Sequence, residues 1–296
     1  MCPSADASLL VFEVSCGGPT ESRASARSGA VADCSGPHVP GARHFDTHWV
    51  EGPPLWNLHD ACTIERNLLE VGITADTQVV LYGDDPLPML RVFWALTWAG
   101  VRDVRYLNGG MRAWLRQGLP VQTGFCPPMP ANVFGASIPA QPQVNLSMPA
   151  DVLAAQKAHG LKLVSNRSRA EYRGATSGYD YIATKGEPAG AIWGHAGTDA
   201  SNMADYFEAD GTLRDPREIF ALWEKQGIRR GDHLAFYCGT GWRACVAWFI
   251  TRLAGWENTC VYDGGWLAWQ LDPALPVQCE AGEHSSAGEN GALAAS

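Results

Sequence analysis

The sequence predicts an α/β protein with two tandem domains of similar size, each a parallel sheet flanked by helices. The chain has 296 residues, and about 150 residues is typical of one domain. Part of the first half repeats in the second half, where Tyr82-Gly83 falls on Tyr237-Cys238 at an offset of 155 residues (238 − 83 = 155). In each copy a strand, a helix and another strand follow in order, which is typical of a parallel sheet.

The repeat extends well beyond this pair of residues. VGITADTQVVLYG at 71–83 aligns with QGIRRGDHLAFYC at 226–238, and Asn108-Gly109-Gly110 aligns with Asp263-Gly264-Gly265 at the same offset. An alignment of this length without a gap is hard to obtain by chance, so we infer a duplicated structural unit.

Apolar runs and amphipathic segments define the expected elements of each half. Each half also carries a Gly-Ala turn after its first strand, at Gly41-Ala42 and at Gly190-Ala191. The expected strands are Leu9–Val14, Val79–Tyr82, Val104–Leu107, Leu161–Ser165, His233–Tyr237 and Thr259–Tyr262, and the expected helices are Leu90–Trp98, Ala150–Ala158 and Ala244–Leu253.

Composition divides the chain into four parts. We expect a first domain over residues 1–121 and a second domain over residues 150–279. Residues 122–149 are rich in proline and lack periodicity, which is typical of a linker. Residues 280–296 contain no aromatic side chain and little to bury, so we expect a disordered tail there.

Charge, hydropathy and cysteine spacing exclude several classes of protein. Lys and Arg number 22 against 31 Asp and Glu, and no basic run could neutralise successive phosphates, so nucleic acid is not an expected partner. No apolar run approaches the ~18 residues of a membrane span, and the first residues lack the basic start of a signal peptide. The nine cysteines form no Cys-x-x-Cys pair, which disfavours a disulfide framework or a zinc ribbon. We expect a soluble, cytoplasmic protein that meets no membrane.

One cysteine lies in a loop whose composition is typical of a reactive site. Cys238 ends a predicted strand and is followed by Gly239, Thr240, Gly241 and Trp242, with Arg243 at the start of the next helix. Successive backbone N–H groups of such a loop, together with a helix N-terminus, favour an anionic sulfur. Arg243 adds a cation that could hold an oxyanion of a substrate. We therefore interpret Cys238 as a nucleophile, and we interpret Cys245, Cys260 and Cys279, which lack such surroundings, as structural.

Two other site types compete for this loop. The segment 239–244 fits the pattern G-x-G-x-x-A of dinucleotide-binding loops, and Asp263 follows at a distance suitable for a ribose contact. However, only 58 residues follow Cys238 (296 − 238 = 58), too few to complete such a domain. A cysteine phosphatase loop needs five residues between its cysteine and arginine, and here there are four. The smaller ring suits a single sulfur atom better than a phosphate.

The loop YCGTGWRA, the later VYDGGWLAW, the Gly-Ala turns and the duplication together resemble the rhodanese family of sulfurtransferases, over roughly residues 9–278. The second half is similar to a bacterial subgroup with a longer insert, here SGYDYIATKGEPAGAIWGHAG at 177–197. Enzymes of this subgroup are generally described as thiosulfate sulfurtransferases. Some related enzymes pass sulfur to the imidazole of hercynine and so form ergothioneine.

The resemblance implies an enzyme in which the Cys238 thiolate takes sulfane sulfur from a small-molecule donor, thiosulfate or polysulfide, and becomes a persulfide. A nucleophilic acceptor then removes the outer sulfur. The backbone N–H groups of residues 239–243 would stabilise the persulfide anion, and Arg243 would steer an anionic donor. No cofactor and no metal are expected. His44 and His48 lack a third ligand at a recognised spacing.

The resemblance also assigns different roles to the two domains. The first domain has Gly83 in place of the cysteine, followed by Asp84-Asp85, whose carboxylates would repel an anion. We therefore expect an inactive first domain that walls one side of the site. A chain in which neither half is catalytic, acting only as a rhodanese-like binding module, is the alternative outside enzymology.

The insert and the first strand of the second domain carry the remaining candidates. In the subgroup that modifies imidazole, a tyrosine of the insert and the loop threonine lie beside the acceptor ring, and Tyr179 and Thr240 match those positions. Tyr181 and Trp193 are expected to cover the core. Arg167 is expected to form a buried structural ion pair, although the aspartate that usually precedes it by two residues is Ser165 here.

Overall fold

The fold was described from a computed structural model, in which residues 9–15, 37–124 and 126–279 are described. The predicted disordered tail at 280–296 lies outside the described residues. Two parallel sheets, each with helices packed against it, confirm the predicted α/β class with two tandem domains. No helix of the described ranges is long and apolar enough to cross a membrane.

The elements alternate along the chain as the repeat predicts. The strands are β1 Leu9–Ser15, β2 Arg43–Asp46, β3 Glu51–Gly52, β4 Asn57–Leu58, β5 Gln78–Tyr82, β6 Asp103–Tyr106, β7 Asn145–Leu146, β8 Lys162–Ser165, β9 Glu187–Pro188, β10 Ile192–Trp193, β11 Leu234–Tyr237, β12 Thr259–Tyr262 and β13 Val277–Gln278. The helices are α1 Ala61–Glu70, α2 Pro86–Ala99, α3 Gly110–Arg116, α4 Pro149–His159, α5 Arg169–Tyr172, α6 Pro216–Lys225, α7 Trp242–Leu253 and α8 Gly265–Trp269.

The two sheets share one strand order. The first sheet runs β2-β1-β5-β6, and the second runs β10-β8-β11-β12 with β7 added at its edge. In both sheets the strand before the loop of interest, β5 or β11, lies in the interior with a parallel neighbour on each side. The carboxyl end of an interior parallel strand is where ligand sites form in open α/β sheets.

The segment predicted as a linker, 122–149, is packed against both domains. The Ala75 amide donates to the Phe134 carbonyl at 2.8 Å, and Phe134 is buried in the first domain. Strand β7 lies within this segment, where Val261 pairs with Asn145 at the edge of the second sheet. The proline-rich segment is therefore a connection that packs closely on the protein, because its backbone groups form hydrogen bonds with residues of the domains on either side.

The domains pack through equivalent helices, α2 of the first and α7 of the second. The ring centroids of Phe93 and Phe249 are 4.8 Å apart in an edge-to-face arrangement, and Trp248 also contacts Phe93. Buried residues of both domains form one continuous hydrophobic cluster across this interface. The relative placement of the domains is therefore fixed by core packing.

Truncation of the interface should destabilise the whole protein. We expect Phe249→Ala to lower the free energy of unfolding by about 3–5 kcal/mol, because it leaves a cavity where both domains meet. Chemical denaturation followed by tryptophan fluorescence measures this change. The control is Leu253→Ala on the same helix, where the side chain is 58% exposed. Equal losses for the two variants would contradict a packed interface.

Candidate active site

Cys238 lies directly after β11 and is 1% exposed. The carbonyl of Cys238 accepts a hydrogen bond from the Trp266 amide at 2.8 Å, and the carbonyl of Gly239 accepts one from the Leu267 amide at 3.0 Å. Helix α8 therefore anchors the start of the loop through these two carbonyl groups.

Two glycines let other groups approach this loop closely. A Cβ on Gly239 would lie 2.3 Å from the ring carbon Cζ of Tyr179, so any side chain there would displace the tyrosine. Gly241 adopts φ +84°, which favours glycine, and forms the N-cap of α7 without a side-chain hydrogen bond. The first turn of α7 thus keeps amide groups that no described capping side chain takes up.

The two repeats differ at this helix start. In the first domain Gly83 follows β5, and the side chain of Asp85 caps α2 by accepting from the Leu87 amide at 2.9 Å. An internal carboxylate therefore occupies the position where an external anion could bind. Together with the absence of a thiol at Gly83, this arrangement fits the expected lack of activity in the first domain.

Tyr179 of the insert 177–197 lies on the loop, and its contact with a substrate stays a prediction. Its hydroxyl oxygen accepts from the Gly239 amide at 3.1 Å and from Nη2 of Arg243 at 2.5 Å. Burial raises the pKa of Tyr179 well above its usual value, and the nearby Arg243 only partly opposes this effect. The side chain is therefore a neutral phenol, and within the described part of the chain its own proton has no acceptor.

The positive charge of Arg243 is already paired within the protein. Its guanidinium is buried and binds both carboxylate oxygens of Glu171, at 2.9 and 2.8 Å, and it also donates to the Asp199 carbonyl at 3.1 Å. Burial favours the neutral form of Glu171, but the charges of Arg243 and Arg167 outweigh it and hold the pKa of Glu171 at about 2. The charge expected to steer an anionic donor is thus already matched inside the protein.

Arg167 forms the buried ion pairs that the sequence predicted. Its Nη1 lies 2.7 Å from a carboxylate oxygen of Glu187, and its Nε lies 3.3 Å from Glu171. Glu187 in turn bonds the Tyr237 hydroxyl, and the indole N–H of Trp193 donates to the Arg167 carbonyl at 2.9 Å. The end of β11 and the start of the insert are therefore tied together through one arginine.

The middle of the loop contacts side chains from both domains. Burial raises the pKa of Tyr181, and both Thr240 and Cys238 act on its hydroxyl, so Tyr181 belongs to the site rather than only to the core. The Trp242 indole N–H donates to Glu51 of the first domain at 2.8 Å, so it does not point at a ligand. Tyr181, Glu171 and Glu51 were missed by the sequence analysis. Only Glu171 has a local signal, the capping box that it forms with Ser168.

Glu51 belongs to a buried network between the domains. Nε of Arg91 lies 2.7 Å from Glu51, and Nη1 of Arg91 lies 2.6 Å from Oδ1 of Asp263. All three side chains are fully buried. Because the Asp263 carboxylate already forms this ion pair, it cannot serve as the ribose ligand that the dinucleotide-binding alternative requires.

Among the cysteines expected to be structural, Cys245 and Cys260 are buried, whereas Cys279 is exposed, so the expectation does not hold for Cys279. Burial raises the pKa of the Cys260 thiol to about 12, and it also raises the pKa of Cys245. Across the ranges 9–15, 37–124 and 126–279, no group of three or more His, Cys, Asp or Glu side chains could hold a metal ion.

The chain has a duplicated α/β fold, and of its two equivalent loops the one after β11 carries a thiol. This loop lies between an interior strand and an uncapped helix. These features define a class of tandem proteins in which one domain keeps a reactive cysteine and the other has lost it. The model of the Rhodanese-like domain matches this chain twice, at residues 32–117 and 148–272, and the chain belongs to the rhodanese family.

Curated relatives and solved structures agree with this family. The chain is 46% identical over 247 residues to the thiosulfate sulfurtransferase YnjE of Escherichia coli, covering 81% of this chain and 55% of YnjE. It is 32% identical to a probable 3-mercaptopyruvate sulfurtransferase of Pseudomonas aeruginosa, covering 81% of this chain and 84% of that protein. The chain therefore spans only about half the length of the first of these relatives.

Two solved structures resemble the fold closely. The crystal structure of YnjE matches with a TM-score of 0.82 at 41% identity, over 94% of this chain and 64% of that one. The anaerobic ergothioneine biosynthesis enzyme of Chlorobium limicola, in complex with its substrate trimethyl histidine, matches with a TM-score of 0.83 at 35% identity, over 95% of this chain and 67% of that one.

The buried carboxyl of Glu51 should make stability depend on pH. Burial raises its pKa from 4.5 to about 7, against the opposing effects of Arg91 and Trp242. Its contribution to the free energy of unfolding is therefore fully present below pH 4.5 and is lost as the pH rises through about 7. We expect Glu51→Gln to become more stable relative to the wild type between pH 5 and pH 8.

Urea denaturation at the two pH values measures this difference. Glu70→Gln, at an exposed position of α1, is the matched control. A stability difference between Glu51→Gln and the wild type that is equal at both pH values would contradict the raised pKa.

Proposed function

We propose that this chain is a rhodanese-type sulfurtransferase in which Cys238 carries sulfane sulfur as a persulfide. The observation that carries the proposal is the setting of the thiol, which follows an interior strand and precedes an uncapped helix N-terminus. Amides aimed at one point stabilise an anion formed there. The sulfurtransferase relatives support the same activity, and the binding-module alternative gives no reason for a retained thiol at this point.

The reaction needs no cofactor and no external oxidant. With thiosulfate, the Cys238 thiolate attacks the outer sulfur, the S–S bond of the donor breaks, and sulfite leaves with the electron pair. Polysulfide would react in the same way, and the polysulfide released as the leaving group would be one sulfur atom shorter. A nucleophilic acceptor such as cyanide then attacks the outer sulfur of the persulfide, forms thiocyanate and returns the thiolate.

The loop residues take distinct roles in this cycle. The amides of Thr240, Gly241, Trp242 and Arg243 stabilise the persulfide anion, whereas the Gly239 amide, which the sequence predicted to join them, donates to the Tyr179 hydroxyl. Tyr179 and Thr240 contact the substrate, and the Tyr179 phenol supplies a proton or hydrogen bond to it. Arg243 acts by orienting Tyr179, since its charge is matched by Glu171.

A second candidate acceptor is an uncharged nitrogen heterocycle. Arg243 is paired with a carboxylate, and the side chains beside the loop include the phenols of Tyr179 and Tyr181, both within electrostatic reach of Cys238. Such surroundings favour a neutral ring over an anion. By analogy with the Chlorobium limicola enzyme, the acceptor would be the imidazole of trimethyl histidine, or hercynine. A ring C–H bond would be replaced by a C–S bond, and its proton would return to the Cys238 thiolate as sulfur leaves.

Intact-protein mass spectrometry tests the carrier directly. Incubation with thiosulfate or polysulfide should add about 32 Da per sulfur to the wild type and nothing to Cys238→Ser, because only the thiolate at 238 is activated. Cys245→Ser, which removes a buried thiol of α7, is the control and should load sulfur normally. No adduct from either donor would overturn the proposal and favour a binding module.

Replacing the Tyr179 phenol distinguishes the loading of sulfur onto Cys238 from the transfer of sulfur to the acceptor. We expect Tyr179→Phe to accept sulfur on Cys238 but to pass it to hercynine about 10²–10⁴-fold more slowly, because the proton donor is lost. The rate of loss of the +32 Da species in single-turnover mixtures measures the transfer step. A cyanide chase, which needs no proton, should be affected far less. No transfer to hercynine by the wild type would rule out the heterocycle as acceptor, whereas an unchanged transfer rate in Tyr179→Phe would rule out the phenol as proton donor.

A further inference from the structure

A side chain of the thiol-free first domain lies directly beneath the reactive loop of the second. A Cβ on Gly241 would lie 2.9 Å from Nη1 of Arg91 and 3.0 Å from Oδ1 of Asp263, so nothing separates the loop backbone from this ion pair. Arg91 is held from its own side by Glu51 and by the Trp56 carbonyl, to which its Nη2 donates at 2.9 Å. Its guanidinium therefore has a fixed position.

The duplication provides an internal comparison for this pair. At the repeat offset of 155, Asp263 corresponds to Asn108, and Leu58 corresponds to Leu213 (263 − 108 = 155; 213 − 58 = 155). The Leu58 amide donates to Asp263 at 2.8 Å, and the Leu213 amide donates to Asn108 at 2.8 Å. The neutral asparagine thus makes the same cross-domain hydrogen bond as the aspartate.

Of the two equivalent loops, only the one that carries Cys238 has the buried ion pair beside it. The counterpart of Arg91 is Val246 (246 − 91 = 155), a buried apolar residue. The thiol-free loop at Gly83 therefore has a valine and an asparagine where the Cys238 loop has an ion pair. The cross-domain hydrogen bond does not need the charges, and the apolar contacts of Phe93 already join α2 to α7. A buried ion pair is in general weak evidence for stability.

We propose that Arg91 is a positioning residue for the sulfur-carrying loop, supplied by the first domain and acting through Asp263 and Gly241. The inference rests on the proposed function, since it concerns the loop that would hold the Cys238 persulfide. The ion pair supports Gly241 from below and so fixes the direction of the amides at the start of α7. A displacement of these amides by about 1 Å would cost about 100-fold in rate.

The test compares the rate of persulfide formation on Cys238 in three variants, by quenched-flow mass spectrometry with thiosulfate and polysulfide. Arg91→Met removes the cation and should load sulfur about 10-fold more slowly or worse, while Arg91→Lys should recover part of the rate. Phe93→Ala, on the same helix and in the same interface but in contact with Trp248 and Phe249, is the matched control. It should lower the unfolding temperature yet load sulfur within about twofold of the wild type.

Each outcome decides the matter. Loss of rate in Arg91→Met but not in Phe93→Ala supports positioning, whereas equal loss in both would mean that Arg91 only stabilises the interface. Loading by Arg91→Met at the wild-type rate would overturn the inference and leave the proposed function intact. A wild type that takes up no sulfur would overturn the proposed function and this role with it.

Arg91→Met leaves two buried carboxylates without their cation and could fail to fold. The combined variant Glu51→Gln, Arg91→Met and Asp263→Asn removes all three charges, and Gln and Asn keep the shapes of Glu51 and Asp263. It reproduces at the thiol site the neutral pairing found at Asn108 and Val246. Slow loading by this folded variant supports the inference, and loading at the wild-type rate contradicts it.

Discussion

The ion pair between Arg243 and Glu171 is the constraint on which the site depends. A buried guanidinium is tolerated only when its hydrogen-bonding groups are met by a carboxylate, and Glu171 meets it with both oxygens. Glu171 is itself fixed by the capping box of α5 and by Arg167. Because Arg243 also bonds the Tyr179 hydroxyl, the position of the phenol over the loop follows from this one interaction.

The duplication explains why the site is built from both domains. The Leu58 amide of the first domain donates to Asp263, directly after β12, and the Leu213 amide of the second domain donates to Asn108, two residues after the end of β6. Each domain therefore covers the other's loop in the same way. The loops have diverged in opposite directions, since Asp85 fills the helix N-terminus of the first while Gly241 leaves that of the second open.

The sequence was sufficient to predict what local pattern and repetition encode. The strands β1, β5, β6, β8, β11 and β12, the helices α2, α4 and α7, and the buried role of Arg167 followed from periodicity, from the offset of 155 residues and from family resemblance, whereas β2, α1 and α6 were not predicted. The partners of Arg243 and Arg91 did not, because Glu171 and Asp263 are 72 and 172 residues away and no local pattern relates such pairs. The edge strand β7 was missed for a similar reason, since its partner β12 lies more than a hundred residues further on.

The paired arginines determine which interactions the loop can offer. Arg91, Arg167 and Arg243 are all buried and all bound to carboxylates, so they organise the surroundings of Cys238 without adding a free positive charge. In the proposed function, the groups left for a ligand are oriented dipoles, namely loop amides, two phenols and a hydroxyl. Oriented dipoles stabilise a charge that develops at one atom far better than they attract a diffuse anion from solvent. This arrangement suits a persulfide formed in place and an acceptor that arrives without charge on its reacting ring.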